Sequence, residues 1–190
     1  LKNQNIINDF IVSTDSKTIA KISRELGANV PFMRPKEISD DKAKTIDVIL
    51  HALEHFESRD SRFNSVLVLQ PTTPIRKIKT IKLAIEKFHR LDVDSLISVY
   101  KEEYINDLVT YRSIDGEYLQ PLDLGHNKGI RRQEHGYRYV RNGSIYLSKT
   151  RFLKRNKMII SDQPGMIEMP KIESINIDSL QDLEIVRALI

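Results

Sequence analysis

The chain contains no cysteine, so it can form neither a disulfide framework nor a cysteine-ligated metal site. It also has no apolar run of membrane-spanning length. Three motifs that often mark nucleotide or zinc chemistry, G-x-x-x-x-G-K-[ST], G-x-G-x-x-G and H-E-x-x-H, are absent as well. From these absences we expect a soluble protein of the cytoplasm.

A strong excess of one charge is also missing. The 30 Lys and Arg residues exceed the 26 Asp and Glu residues only enough for a net charge of +4. Because the two signs alternate along the predicted helices, the pattern does not favour a nucleic-acid-binding face, and it suits a small anionic substrate equally well. We therefore expect neither a nucleic-acid nor a membrane partner.

Strands and helices alternate along most of the chain. With 190 residues and 40% hydrophobic content, the chain can bury one good core, and we expect a single domain over residues 1–190. Strand-length runs are predicted at residues 10–12, 30–32, 66–70, 95–100, 143–148, 166–169 and 174–177, and helices at about 17–26, 45–56, 78–88 and 180–189. This alternation predicts an α/β fold whose mostly parallel sheet is covered by helices.

Residues 102–139 interrupt this pattern. They contain short candidate strands, a turn signal at Asp115 and Gly116, and three more glycines, but no helical period. We interpret the segment as an inserted hairpin arm. Such an arm commonly forms a subunit interface, and a flexible surface loop is the alternative.

A rigid polar loop follows the apolar run at residues 66–69. It reads Q-P-T-T-P-I-R from Gln70 to Arg76, and its prolines cannot extend a central strand. In open α/β sheets, ligands bind at the carboxyl ends of the strands. We therefore expect this loop, with its amide, hydroxyls and arginine, to lie where a substrate is held.

Two other groups of residues can carry chemistry. Asn176 and Asp178 stand two apart in a predicted strand, where they share one face and can offer oxygen ligands to Mg²⁺; the alternative is a helix cap with polar neighbours. Arginine and tyrosine alternate around Arg132 and residues 137–146, a pattern that serves anion recognition, RNA stacking or simply a solvated surface. His51 and His55 lie one helical turn apart, but without a third ligand we interpret them as helix surface.

The local sequences, in their order, resemble the acylneuraminate cytidylyltransferase family, which includes the CMP-N-acetylneuraminic acid synthetases. The matching pieces cover nearly the whole chain: I-V-S-T-D at 11–15, P-F-M-R-P at 31–35, T-I-D-V at 45–48, Q-P-T-T-P-I-R at 70–76, R-R-Q at 131–133, R-N-G-S-I-Y at 141–146 and S-I-N-I-D at 174–178. The proline-rich loop is the most specific of them. The resemblance implies a three-layer, nucleotide-diphospho-sugar-transferase-like (Rossmann-like) fold with a hairpin dimerisation arm.

The same resemblance implies an enzyme that joins CTP to a nonulosonic acid such as N-acetylneuraminate and releases pyrophosphate, with Mg²⁺ as cofactor. Gln70 and Asp178 are the expected catalytic residues, and Asp178 and Asn176 the expected metal ligands. The residues implied in substrate binding are Arg34, Ala43 and Thr45 at the cytosine, and Gln70, Arg132, Asn142 and Tyr146 around the sugar acid. A homodimer is implied, with the arm reaching toward the neighbouring site.

Two departures from the family pattern carry expectations of their own. The family has Asp-x-Asp where this chain has Asn176 before Asp178, so we expect weaker metal binding. The family also begins with a central strand and an A-R-x-G-S-K loop that holds the triphosphate, and no such segment precedes Leu1. Because a missing central strand leaves costly unpaired backbone, we expect the sequence to be a fragment with poor CTP turnover.

Three alternatives stay open from the sequence. A non-catalytic module of the same fold, which binds or regulates through a nucleotide sugar, is the first. The second is a cytidylyltransferase for an eight-carbon keto-deoxy sugar acid, and the third is an RNA-binding protein. The residues do not identify which nonulosonic acid is used.

Overall fold

The computed structural model describes residues 6–129 and 136–190. By their contacts the residues fall into two compact units. The first unit comprises Leu1–Val68, Lys77–Leu96 and Tyr146–Gly165, and the second comprises Leu69–Arg76, Ile97–Ile145 and Met166–Ile190. The expectation of one domain with an arm stays a prediction.

Five α-helices are present in the described residues, and four of them were predicted from the spacing of apolar residues. They are α1 (Lys17–Glu25), α2 (Thr45–Glu57), α3 (Ile78–Leu91), α4 (Thr150–Asn156) and α5 (Leu180–Leu189). Ser16 caps α1 by accepting a hydrogen bond from the backbone N–H of Ile19, as the run of capping residues before this helix predicted. None of the helices in the described residues is long and apolar enough to cross a membrane.

The described residues form one four-stranded sheet and one two-stranded sheet. The strands are β1 (Ser65–Leu69), β2 (Ser95–Glu102), β3 (Tyr111–Ser113), β4 (Leu119–Pro121), β5 (Arg138–Lys149) and β6 (Gly165–Glu168). The order in the larger sheet is β1-β5-β2-β6. Strand β2 is buried along most of its length, as expected for a strand covered on both faces.

The core of the first unit forms between helices and β1. Ile46, Ile49 and Leu53 recur on one face of α2 and pack with Leu153 of α4. Val66 and Val68, which alternate along β1, pack against the same cluster. The helical and strand periods that are visible in the sequence thus meet in one apolar core.

The second unit contains the predicted hairpin. Strands β3 and β4 pair antiparallel, with Tyr111 opposite Pro121 and Ser113 opposite Leu119. The turn between them uses Gly116 at φ +90°, a conformation that glycine adopts readily, while the Asp115 carboxylate accepts hydrogen bonds from two backbone N–H groups. The hairpin is therefore present where the Asp-Gly signal predicted it.

Three strand predictions were wrong, and one helix was missed. Residues 10–12 and 30–32 do not form strands, and a single parallel bridge joins Ile11 to Asn29. Residues 174–177 are not a strand either, because a 3-10 helix at Lys171–Ser174 comes first and extended chain follows it. Helix α4 was missed because its seven residues are too few to show an apolar period.

Candidate functional site

The loop at residues 70–76, here the 70–76 loop, is held by hydrogen bonds to its own first carbonyl. Both the backbone N–H and the hydroxyl of Thr73 donate to the Gln70 carbonyl at 3.3 Å, and Thr73 is completely buried. The Thr72 carbonyl accepts a 2.7 Å hydrogen bond from the backbone N–H of Ile177. The loop is therefore compact, and it is tied to the segment that carries Asn176 and Asp178.

Arg76 ends this loop with its guanidinium on two main-chain carbonyls. Nη1 donates to the Ser144 carbonyl at 2.7 Å, and Nη2 donates to the Gln70 carbonyl. Burial lowers the pKa of Arg76 below its ordinary value, although an arginine stays charged at any physiological pH. The sequence placed Arg76 in the substrate loop, and the structure adds that its guanidinium engages the protein backbone.

The side-chain amide of Asn142 is buried in a network of polar groups within the second unit. Its Oδ1 accepts hydrogen bonds from the Ser98 hydroxyl at 2.5 Å and the Ser144 backbone N–H at 3.2 Å. Its Nδ2 donates to the Ser174 hydroxyl at 2.7 Å and lies 3.5 Å from the Met169 sulfur. Asn142 is only 7% exposed. Through these hydrogen bonds its amide links β2 and β5 to the 3-10 helix that precedes Asn176.

Asn176 and Asp178 lie just beyond that 3-10 helix. The Asn176 Nδ2 donates to Asp178 Oδ1 at 2.6 Å, and Asp178 is exposed. Ser179 then caps α5 in a capping box: its hydroxyl accepts from the Asp182 backbone N–H, and the Asp182 carboxylate accepts from the backbone N–H groups of Ser179 and Asp178. The hydrogen bond that the Ser179 hydroxyl donates to the Asp182 carboxylate at 2.7 Å, followed by the one from the Asp178 backbone N–H, lowers the pKa of Asp182. The cap anticipated at Ser179 is present, and it leaves the Asp178 carboxylate at the surface.

Asn176 and Asp178 place the two kinds of oxygen ligand that Mg²⁺ takes side by side, an amide and a carboxylate. Their side chains are in direct contact, with Asn176 Nδ2 2.6 Å from Asp178 Oδ1. Among residues 6–129 and 136–190, no three His, Cys, Asp or Glu side chains gather into a group that could hold a metal ion. The residues therefore fit a site of few protein ligands, of the kind that substrate phosphates complete.

In the first unit, Arg34 is held by an exposed and a half-buried partner. Its Nε donates to the Ser39 hydroxyl at 3.0 Å, and its Nη2 lies 3.3 Å from an Asp15 carboxylate oxygen. Its backbone N–H donates to the Thr14 carbonyl at 2.9 Å. These contacts fix the direction of a guanidinium that is still 24% exposed and can meet a ligand.

The remaining predicted residues are spread over both units. Ala43 closes a turn by donating its backbone N–H to the Asp40 carbonyl at 3.1 Å, and the exposed Thr45 begins α2. Thr45 also lines a mostly apolar surface cavity of about 350 Å³ with residues of α2 and of segment 158–160. Tyr146 is half-buried in β5, in the part of that strand that belongs to the first unit. Arg132 lies outside the described residues.

Within the second unit, backbone hydrogen bonds tie the 70–76 loop to the segment of Asn176 and Asp178, and Arg76 and Ser144 link the same loop to Asn142. Arg34, Ala43, Thr45 and Tyr146 belong to the first unit. Sequence reasoning missed Ser98 and Ser174, whose hydroxyls hold Asn142. The available signal for Ser98 was a polar residue inside the apolar run S-L-I-S-V-Y, because a buried polar side chain needs a partner.

An ion pair between a buried carboxylate and an exposed lysine stands apart from these residues in the second unit. Glu102 is 2% exposed and accepts hydrogen bonds from Lys171 Nζ at 2.5 Å and from the Tyr104 backbone N–H at 2.9 Å. The hydrogen bond from Lys171, followed by that from Tyr104, lowers the pKa of Glu102 from 4.5 to about 2. Glu102 is therefore ionised at neutral pH.

Comparison with known proteins gives a consistent picture. A family model described as cytidylyltransferase matches residues 1–186. The chain is 34% identical over 177 residues to the CMP-N,N'-diacetyllegionaminic acid synthase of Legionella pneumophila, a match that covers 90% of this chain and 73% of that protein. It is 26% identical over 187 residues to the pseudaminic acid cytidylyltransferase of Campylobacter jejuni, with 98% and 80% covered.

A third relative is much longer than the chain. The N-acylneuraminate cytidylyltransferase of Streptococcus agalactiae serotype V is 32% identical over 174 residues, which cover 92% of this chain but 40% of that protein. Among solved structures, a CMP:2-keto-3-deoxy-manno-octonic acid synthetase complexed with CTP superposes with a TM-score of 0.59 at 13% identity, covering 95% of this chain and 80% of that one. This likeness confirms the predicted fold class.

Proposed function

Since the chain belongs to the cytidylyltransferase family, we propose that it transfers a cytidylyl group from CTP to a nonulosonic acid and releases pyrophosphate. The observation that carries the proposal is similarity over 90% to 98% of the chain to relatives named for legionaminic, N-acylneuraminic and pseudaminic acids. The likeness to the synthetase of an eight-carbon acid rests on 13% identity and supports the fold alone. A nine-carbon acid is therefore the favoured acceptor.

The reaction makes one bond and breaks one. The anomeric hydroxyl oxygen of the sugar acid bonds to the α-phosphorus of CTP, the bond from that phosphorus to the bridging oxygen breaks, and the hydroxyl proton passes to solvent as pyrophosphate leaves. Because no covalent intermediate is needed, catalysis rests on alignment and on stabilisation of phosphate charge. The protein has to hold both substrates in line.

Each proposed residue has a part in that alignment. Arg34, held by Asp15 and Ser39, presents N–H donors to the cytosine. Gln70 and Tyr146 contact the sugar acid, and Arg132 binds its carboxylate in two-pronged fashion. Ala43 and Thr45 are proposed to contact the cytosine, and Asn142 is proposed to form part of the wall of the sugar-acid site.

Asn176 and Asp178 would hold Mg²⁺, which neutralises charge on the phosphates when it is bound. One carboxylate and one amide supply less negative charge than two carboxylates do. Half-saturation of activity at higher Mg²⁺ concentration than in a relative with two carboxylates is the expected consequence.

The hairpin arm supports a homodimer. Nine of its apolar side chains are 43% to 89% exposed: Tyr104, Ile105, Val109, Tyr111, Ile114, Tyr118, Leu119, Leu122 and Leu124. So many exposed apolar groups on one short segment mark an interaction surface, and a second copy of the chain is the proposed occupant.

Sedimentation equilibrium at micromolar concentration should show a dimer that Leu119→Glu dissociates. The control Leu26→Glu, at an 82% exposed site of the first unit, should leave it intact; a monomeric parent protein would contradict the proposal.

Pyrophosphate release tests the function directly. The assay contains CTP, Mg²⁺ and N-acetylneuraminate, legionaminate or pseudaminate in turn, with the chain alone and with a version extended by the family's strand and A-R-x-G-S-K loop. Release with one of these acids, and not with an eight-carbon acid, is the expected result. If neither version turns over but a CMP-sugar still binds, the non-catalytic module replaces the proposal.

Because CTP is a cytoplasmic nucleotide, the same proposal places the protein in the cytoplasm, which cell fractionation can test.

A further inference from the structure

We propose that Arg76 is a positioning residue that fixes the backbone of Gln70 and thereby the reach of the Gln70 side chain toward the sugar acid. The inference rests on the proposed function, because it takes Gln70 as a sugar-acid contact. It concerns a residue whose position in the substrate loop suggested a direct contact with substrate. The hydrogen bonds of its guanidinium assign it a different task.

The first step is the shortage of backbone donors in the 70–76 loop. Pro71 and Pro74 have no N–H, so two of the five residues between Gln70 and Arg76 cannot donate a backbone hydrogen bond. The Gln70 carbonyl nevertheless receives donors from Thr73 and from Arg76. The guanidinium of Arg76 therefore adds a further donor to the carbonyl that begins the loop, where two prolines reduce the number of backbone donors.

The second step is the two-carbonyl geometry. Nη1 and Nη2 of Arg76 reach the carbonyls of Ser144 and Gln70, which lie on segments far apart in the sequence. A guanidinium is a rigid planar fork, so bonding one carbonyl sets the direction available to the other. Lysine has a single nitrogen on a flexible stem and cannot hold the same separation. The contact thus fixes the end of β1 relative to β5.

The third step connects the loop to the proposed metal pair. Thr72, inside the loop, accepts the 2.7 Å hydrogen bond from the backbone N–H of Ile177, which lies between Asn176 and Asp178. A change in loop shape therefore reaches the segment that carries both proposed metal ligands. Arg34 belongs to the first unit, where it contacts Thr14, Asp15 and Ser39. The KM for the sugar acid and the Mg²⁺ requirement should consequently change together, while recognition of the cytosine at Arg34 should not change.

The test compares Arg76→Lys and Arg76→Met with the parent protein. Both variants should raise the KM for the sugar acid and the half-saturating Mg²⁺ concentration by ten-fold or more, whereas the KM for CTP, measured at saturating Mg²⁺, should stay within two-fold of the parent value. Arg76→Lys should retain more activity than Arg76→Met. The matched control is Arg90→Met, at an exposed position of α3, which should change none of these constants.

A merely structural role gives a different pattern. If Arg76 only stabilises the fold, the variants will lose unfolding free energy while the KM of the folded protein for the sugar acid stays unchanged, and that result overturns the proposal. Equal increases in the KM values for CTP and for the sugar acid at saturating Mg²⁺ overturn it as well. Should Arg76→Met fail to fold, the same criteria apply to Arg76→Lys.

Amide hydrogen exchange separates this inference from the proposed function, because it needs no turnover. The N–H groups of Thr73 and Ile177 should exchange at least ten-fold faster in Arg76→Lys than in the parent protein. If the parent protein neither turns over nor binds a sugar acid, the proposed function fails, and unchanged exchange at these two amides then refutes the positioning role separately.

Discussion

Replacing Ser98 by alanine removes one oxygen atom from the buried network around Asn142. In the structure this oxygen donates to Asn142 Oδ1 at 2.5 Å and accepts the backbone N–H of Ile145 at 2.7 Å. Ser98 is 1% exposed and Ile145 is fully buried, so water cannot replace the lost partner. We expect Ser98→Ala to be strongly destabilising for so small a change.

The magnitude follows from the two contacts. An orphaned buried N–H costs about 1 to 3 kcal/mol, and the lost hydrogen bond to Asn142 adds about 1 kcal/mol, so the expected loss of unfolding free energy is about 2 to 4 kcal/mol. Ser144→Ala is a matched control, because it removes the same atom from an equally buried serine. The Ser144 hydroxyl has no hydrogen-bond partner among residues 6–129 and 136–190. Its removal should leave stability unchanged or raise it by up to about 1 kcal/mol.

Urea unfolding followed by circular dichroism compares the two variants with the parent protein at pH 7. The midpoint should fall for Ser98→Ala and stay the same or rise for Ser144→Ala. Equal losses in the two variants would refute the reasoning, because the hydrogen-bond partners, rather than the mere burial of a serine, are held responsible.

Three further outcomes follow from other parts of the second unit. Because the pKa of Glu102 is lowered from 4.5 to about 2, its pair with Lys171 stabilises the fold fully above pH 4.5 and loses this contribution as the pH falls toward 2. Between pH 6 and 2, the melting temperature should therefore fall more steeply in the parent protein than in Glu102→Gln. Parallel curves for the two proteins would contradict this. Ser179→Ala should cost about 1 kcal/mol of unfolding free energy by removing the cap of α5, and an unchanged melting temperature would count against the cap. Asn176→Asp places a second carboxylate beside Asp178, so it should lower the half-saturating Mg²⁺ concentration several-fold and destabilise the metal-free protein. Indistinguishable Mg²⁺ titrations of the variant and the parent protein would rule out a metal role for this position.

Much of the local structure could be predicted from the sequence. Apolar residues at helical spacing located α1, α2, α3 and α5, and the Asp-Gly pair located the hairpin turn. Each of these signals lies within a few neighbouring residues, since caps, turns and helical faces depend on contacts between residues close in sequence. The prediction failed where the local pattern was ambiguous. At residues 174–177 a short apolar alternation suggested a strand, but Ser174 ends a 3-10 helix and the residues after it are extended chain outside any strand.

The order of the motifs along the sequence was sufficient to indicate the family, because that information is itself linear. The tasks of individual residues were decided only by the tertiary structure. Arg76 meets Ser144 across 68 positions and Asn142 meets Ser98 across 44, and no local pattern encodes which distant carbonyl or hydroxyl a polar side chain will reach. The sequence by itself therefore determined which chemical groups are available. Folding determined which of these groups form hydrogen bonds within the protein and which are left to face a ligand, because a buried polar group takes whatever partner the packed chain brings within hydrogen-bond distance.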